Sequence, residues 1–540
     1  MPRVPKRDTL ADLLAGLSIA GLLLPEAVAY SGLAGLPPQA GVLALFAGLV
    51  SYGLLGRSPF AIVTTTSSAA AVLASALGLL GAGAMAARVL LGSVLVVGCG
   101  LVFMLAGALR FGAVSSFIAR PVLRGYAFGL ALVIVVRQWV HIVALPADTT
   151  VFGPLLLEEL RSLPRWGNAS AACGLGALAA LFLLTRIRRL PATLVVIIAS
   201  ILAAPALAAH GVALTGPITI ALGLPQFVLP AGTHWLPLTE FSLALMLILY
   251  AESYGAIRTT ALRHDARVEA NRDLIAIGVG NLVSGLLHGT PVGAGYSGTS
   301  ANEAAGARSR LAGLSAAGVV LLCVWLLLPW IERIPRPVLA AVVIHAVSRS
   351  LSPAVFANYV RWRRDRLIAA AAVLAVLCLG VLNGLLAAIG VSLAMLLRSL
   401  ARPRLAVLGR LGEHDYVNVA RFPEAATRPD LMVLRPEEPL FFANVERLLG
   451  LMRERLEGAP AVRTLVLSLE ESPDLDTSTL EALAEFCAWL AAHGTALRLA
   501  RLKEGAREAV QQLGVTQLSG PALYYSSVDD AVRGHAVVPT

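Results

Sequence analysis

At 540 residues, 57% hydrophobic and only 14% charged, the chain is too apolar for a soluble protein and long enough for many bilayer crossings. Its formal net charge of +10 raises nucleic acid as a partner, but much of the Lys and Arg lies in short loops between apolar runs, so membrane topology accounts for it and no nucleic acid is expected. Cysteines at 99, 173, 323, 378 and 487 form no C-x-x-C pair, and no Walker A loop, kinase signature, complete dinucleotide fingerprint or nucleophile–base–acid set appears. An ATP-driven pump and an enzyme are thereby disfavoured, and neither metal nor cofactor is expected.

Arg3, Lys6 and Arg7 precede an apolar run over 10–33, read as a retained first helix that Pro25 interrupts and in which Glu26 puts a carboxyl near membrane depth. After a run at about 41–55 comes PFAIVTTTSSAAAVLASALGLL, where Pro59 and β-branched residues precede five hydroxyl residues, Thr64 to Ser68. That pattern predicts a short extended piece feeding a helix N-terminus. Further apolar runs fall near 89–109, 125–145, 170–185 and 191–209. The basic loops 110–124 and 186–189 are expected inside, and loop 211–237, without Lys or Arg, outside.

The stretch 241–308 organises the rest. Its first apolar run carries Glu252, expensive in hydrocarbon when ionised, and its second ends in HGTPVGAGYSGTSAN. There Gly289, Pro291, Gly293, Gly295 and Gly298 break any continuous helix at membrane depth, which is tolerated only where the break lines a protein cavity. Ser297, Thr299 and Ser300 read as the start of a helix whose N–H groups and positive dipole end face that cavity, an anion seat. The 59–68 break mirrors this one, so two helix N-termini converge on one anion. Thr64, Thr65, Thr66 and Ser67 either bond the anion or glue helices together. Glu252 either carries a proton (less readily, binds sodium) or forms a structural bond, and Tyr296 either closes over the substrate or anchors its segment.

Arg361, Arg363, Arg364 and Arg366 are expected inside, and the last run, about 383–400, brings the count to roughly fourteen segments with both termini cytoplasmic. After Arg404 charge becomes frequent. LMVL (431–434), PLFFAN (439–444), TLVLSLE (464–470) and ALRLAR (496–501) read as strands, and 445–456 and 479–492 as helices, of a small soluble α/β domain. The division falls at 1–404 and 405–540.

LLLPEAVAYSGLAGLPP, NRDLIAIGVGNLVSGLLHGTPV, Asn302 and Gly306-Ala307-Arg308 resemble the motifs of the sulfate-permease (SulP) family of anion transporters, with Asp273 in place of a Glu. The C-terminal part is similar to that family's STAS domain. The resemblance implies a polytopic α-helical membrane protein of about 14 transmembrane segments in two inverted 7-segment repeats (about 8–210 and 238–402). These would form core and gate domains, followed by a soluble α/β STAS domain, in a homodimer in the cell (inner) membrane. It implies a substrate site between the breaks of segments three and ten, approached by Glu26, Ala27 and Tyr30, with Tyr296, Ser297, Gly298 and Thr299 on the second break. Glu26 otherwise caps a kinked helix or pairs with an Arg.

Glu252 sits where the family places its coupling acid. Ser478, in Asp476-Thr477-Ser478, sits where related regulators are phosphorylated; the other reading of Asp476 or Ser478 is a helix N-cap. Many members carry Arg where this chain has Gly298, which weighs toward a singly charged substrate. The expected activity is secondary active transport of a small anion (sulfate, bicarbonate, nitrate or a small carboxylate), coupled to protons. Uncoupled exchange or channel-like conductance is the alternative, and a membrane ligand sensor a remote one.

Overall fold

The computed structural model describes residues 6–112, 120–145, 152–162, 166, 168–187, 192–216, 235–352, 356, 363–513 and 523–535. Arg361, most of loop 211–237 and parts of loops 110–124 and 186–189 lie outside the described residues. The chain divides into two compact units, Met1–Ser392 and Leu393–Thr540.

In the first unit, α1 (Lys6–Leu33), α2 (Pro38–Leu55), β1 (Val63–Thr65), α3 (Ser67–Leu79) and α4 (Met85–Ala108) are followed by α5 (Arg120–Val143), α6 (Phe152–Arg161), α7 (Asn168–Leu184) and α8 (Ala192–Ala209). The second half begins with the same order: α9 (Trp235–Arg263), α10 (Ala270–Leu286), β2 (Val292–Ala294), α11 (Tyr296–Ala304) and α12 (Leu311–Ile331). It continues with α13 (Arg336–Val347), α14 (Arg363–Leu379) and α15 (Val381–Leu400), which runs into the second unit. Six of the described helices are long and apolar enough to span a bilayer. Pro25 was expected to interrupt the first helix, yet α1 runs through it. A proline removes one backbone donor, and membrane helices tolerate that loss where neighbours surround them, as they do this buried stretch.

The two breaks pair with each other. β1 and β2 form an antiparallel ladder, Val63 opposite Ala294, Thr64 opposite Gly293 and Thr65 opposite Val292, and all six residues are buried. Backbone that cannot be helical at membrane depth thus finds its hydrogen bonds in its counterpart from the other half. Elsewhere in the breaks, side chains take that role. Asn281, 0% exposed, donates to the Val292 carbonyl (2.7 Å) and accepts from Val292 N–H (3.0 Å), and Asn302 donates to the Phe60 carbonyl (3.0 Å). Both asparagines tie helix breaks. Around this ladder α1, α2, α4, α9, α10 and α12 pack on one another, while α5 packs on α13 and α14, and α13 on α7. These are the core and gate groups of helices.

In the second unit a five-stranded sheet has the order β4-β3-β5-β6-β7, with β3 (Leu405–Leu411), β4 (Asp415–Asn418), β5 (Leu431–Pro436), β6 (Thr464–Ser468) and β7 (Ala496–Ala500). β5, β6 and β7 are parallel; β3 is antiparallel to β4 and β5. α16 (Val445–Glu457) and α17 (Thr477–Ala492) supply the connections, with α18 (Glu504–Leu513) and α19 (Val528–Arg533) after them. PLFFAN is not a strand. Its backbone donors go to side chains instead of a ladder: Leu440 N–H to Ser472 (3.0 Å), Phe441 N–H to Asn444 (3.0 Å) and Phe442 N–H to Asp476 (2.8 Å).

Asp476 also caps α17 by accepting from Thr479 N–H (2.8 Å). Burial pushes its carboxyl up, but the N–H donors of Thr479 and Phe442 outweigh that and hold it below its ordinary value. Its contribution is therefore full above the unfolded carboxyl's pKa of about 4 and fades as pH falls through the lowered folded value. Asp476→Ala is expected to cost about 1 kcal/mol at neutral pH, read as a lower unfolding midpoint of the soluble domain, with the difference shrinking in strong acid.

Candidate functional site

The breaks feed two helix N-termini. At α3, Thr66 is the N-cap and its hydroxyl accepts from Ala69 N–H (3.3 Å). α11 starts earlier than its serines suggest: Gly295 is the N-cap, and having no side chain it leaves the first-turn N–H groups without a side-chain cap. α9 crosses both breaks. Ser253 accepts from Ala294 N–H on β2 (2.9 Å), while the neighbouring Glu252 accepts at Oε2 from Thr66 (3.1 Å) and from Ser68. The other oxygen, Oε1, would lie 3.8 Å from a Cβ placed on Gly295. One carboxylate thus stands between the caps of both half-helices.

Beside it opens a cavity of ≈ 290 Å³. Its polar side includes Tyr30, Ser67, Ser68, Glu252, Tyr296, Ser297 and Ser300, with Tyr126 reaching in from α5 and Ser350 beyond it in the chain. Its apolar side is largely Leu123, Ala127 and Leu130 of α5 with Leu247 and Ala251 of α9. Among the described lining residues there is one acid and no Lys or Arg.

The structure therefore brings together Tyr30, Ser67, Glu252, Tyr296 and Ser297, with Thr66 bonded to Glu252 just behind them. It places the others elsewhere. Thr64 and Thr65 are buried in the ladder, and Thr65 Oγ1 has no hydrogen-bond partner among the described residues. Ala27 is fully buried, its carbonyl against Gly41 of α2, and Glu26 is buried one turn before Tyr30. Thr299 accepts from Ile62 N–H (3.4 Å). Gly298 faces away from the cavity: a Cβ there would stand 3.3 Å from Leu23 Cδ2 and 3.4 Å from Ile62 Cγ2. Its lack of a charge says little about the cavity, whose charge is set by Glu252. Ser478 is exposed in the first turn of α17.

Ser68, the end of the hydroxyl run, and Ser300, read in the start of the second half-helix, line the cavity as well, and Tyr126 joins them without having been expected. Ser300 lies three positions after Ser297, the spacing that puts two side chains on one helix face, and Ser68 extends the hydroxyl run. Tyr126 carries no local signal.

The family model for the sulfate permease family matches residues 10–389, and the STAS domain model matches 422–531. The chain belongs to the sulfate permease family. "Probable sulfate transporter" of Mycobacterium tuberculosis is 32% identical over 97% of this chain and 94% of that protein. In fold, the chain is similar to the murine Solute Carrier 26 family member A9 anion transporter in its inward-facing state, with a TM-score of 0.90, 20% identity and coverage of 99% of this chain and 92% of that one. It is similar as well to the transmembrane domain of a cyanobacterium bicarbonate transporter, with a TM-score of 0.62, 21% identity and coverage of 72% of this chain and 99% of that one. This sulfate permease family member is thus a multi-pass membrane anion transporter with a C-terminal STAS domain. The family is one of transporters, in keeping with a chain read as having no enzymatic centre.

Proposed function

We propose that the chain is a secondary active transporter of a small, singly charged oxyanion or small carboxylate, moved together with a proton carried by Glu252. The observation that supports this is the position of the Glu252 carboxylate, between the caps of α3 and α11 and on the wall of the cavity. Helix N-termini favour a negative charge, and here the protein's own carboxylate supplies it. A substrate anion entering beside an ionised Glu252 meets like-charge repulsion in a cavity with a largely apolar far wall; protonation removes it. Hydroxyls and dipole ends supply only partial charge, which suits a monovalent anion better than a divalent one with its larger hydration cost.

Thr64, Thr65, Gly298, Thr299, Glu26 and Ala27 hold the frame of the site in this reading, and Tyr30, Thr66, Ser67, Tyr296 and Ser297 meet the anion or Glu252. Residues 1–404, with about fourteen segments, form the transport domain in the cell membrane; 405–540 form a cytoplasmic STAS domain, with both termini on the cytoplasmic side and two copies per transporter. Ser478, exposed on that domain, is open to phosphorylation.

The test is uptake of labelled nitrate, bicarbonate, fumarate and sulfate into proteoliposomes, with and without an inward proton gradient. Uptake of one anion that rises with the gradient is expected. Gradient-independent uptake that requires an anion inside would instead establish exchange, with Glu252 structural.

A further inference from the structure

We infer that Ser68, with Thr66, is a proton-gated donor: the hydroxyl hydrogens that would bind the substrate anion are held by ionised Glu252 and released to the cavity when Glu252 is protonated. The inference rests on the proton-symport reading above and specifies how protonation of Glu252 is felt by the anion.

A hydroxyl has one hydrogen. Thr66 and Ser68 both donate theirs to the same oxygen, Glu252 Oε2, and their own oxygens lie 3.0 Å apart. Thr66 Oγ1 already accepts from Ala69 N–H, so in this arrangement both hydroxyls turn lone pairs, not hydrogens, toward anything else. Ser68 nonetheless lines the cavity. A cavity wall of lone pairs beside a carboxylate repels an anion. A proton on Oε2 removes the charge and turns that oxygen from acceptor into donor, so the Ser68 hydrogen is free to rotate into the cavity and meet the anion. One proton bound thus exposes one donor, and release of the proton on the other side withdraws it.

The titratable groups facing Glu252 are Tyr30, with Glu26 a turn before it, on α1, Tyr126 on α5 and Tyr296 on α11. α3 presents hydroxyls only. Arg88 of α4 is turned to the carbonyls of Gly35 and Ala34, and Arg258 of α9 is exposed. Of the described residues lining the cavity, Glu252 is the one carboxyl, and it is bonded to the cap hydroxyls of α3.

The test is the KM for uptake of nitrate and of sulfate, whose charges stay constant over this range, by the full chain in proteoliposomes at about pH 5.5 and about pH 8. Ser68→Ala is expected to raise KM on the order of tenfold at the lower pH, where the donor is in use, and to leave it within about twofold at the higher pH, where the donor is already withdrawn. Ser68→Thr keeps the hydroxyl and should retain the wild-type profile. If the Ala variant does not fold, Ser68→Cys, of similar volume with only a weak S–H donor, should show the same low-pH penalty. An equal rise in KM at both pH values would mean an ungated donor, and no change at either would mean no role; both overturn the inference while leaving symport standing. A wild-type KM that does not depend on pH would overturn the symport reading, and the inference with it.

Discussion

Glu252→Gln is expected to abolish the stimulation of anion uptake by an inward proton gradient while leaving the protein folded and membrane-inserted. Coupling one proton to each anion makes every pH unit worth about 1.4 kcal/mol, an accumulation of about tenfold, and that drive should fall to unity in the variant. The amide is close in shape to the carboxyl, its oxygen in the place of Oε2 can still accept from Thr66 and Ser68, and it cannot ionise. Counterflow, in which labelled anion exchanges against unlabelled anion inside, should survive, because it needs no net proton movement. The measurement is a pair of uptake curves at equal and unequal pH. A Gln variant that keeps its gradient response would remove Glu252 from the coupling path.

The largest structural effect is expected at Asn281. Its side chain bonds both the N–H and the carbonyl of Val292, and donates to the Ile277 carbonyl of its own helix (3.0 Å). Asn281→Leu leaves both Val292 groups without a partner in a fully buried place. At roughly 1–3 kcal/mol for each buried unpaired group, the loss is on the order of 2–6 kcal/mol, enough to release β2 from its ladder. Transport should fall to background and the thermal midpoint of the detergent-purified protein should drop. Asn302→Ala, which removes a single bond to the Phe60 carbonyl, should cost about a third to a half of that, so the ranking of the two variants is itself a check.

Much of this architecture was legible in the chain itself, and the reasons differ by element. The apolar runs fix most membrane helices because twenty apolar residues have few alternatives, and the breaks are visible because Gly and Pro at membrane depth require explanation. That the breaks pair with each other was not visible, since residues 63–65 and 292–294 lie more than two hundred positions apart. PLFFAN has the composition of a strand, but Ser472 and Asp476, some thirty residues later, take its backbone donors. β4 carries little signal because DYVN is only four residues, and β3 because Gly409 and Arg410 interrupt the apolar pattern of LAVLGRL.

At the site, residue type located the hydroxyl run but not its orientation. Whether Thr65 or Ser68 meets the cavity depends on where β1 ends and α3 begins, a one- or two-residue matter that propensity does not resolve. Gly298 shows the same limit. Its neighbours Ser297 and Tyr296 face the cavity while it packs on Leu23 and Ile62, because successive residues of a helix point about 100° apart.

The ladder between β1 and β2 has a consequence for transport kinetics. Hydrogen bonds fix the two breaks to each other, so the caps of α3 and α11 hold the same spacing whichever side of the membrane the cavity faces. In the symport cycle proposed above the cradle then travels as one piece, and at a given protonation state of Glu252 its affinity for the anion is the same at loading and unloading. Any difference between uptake and efflux affinities would have to arise from the opposing wall of α5, or from the pH on each side. Changes at Leu123 or Leu130 should therefore alter the directional asymmetry of transport more than the choice of anion.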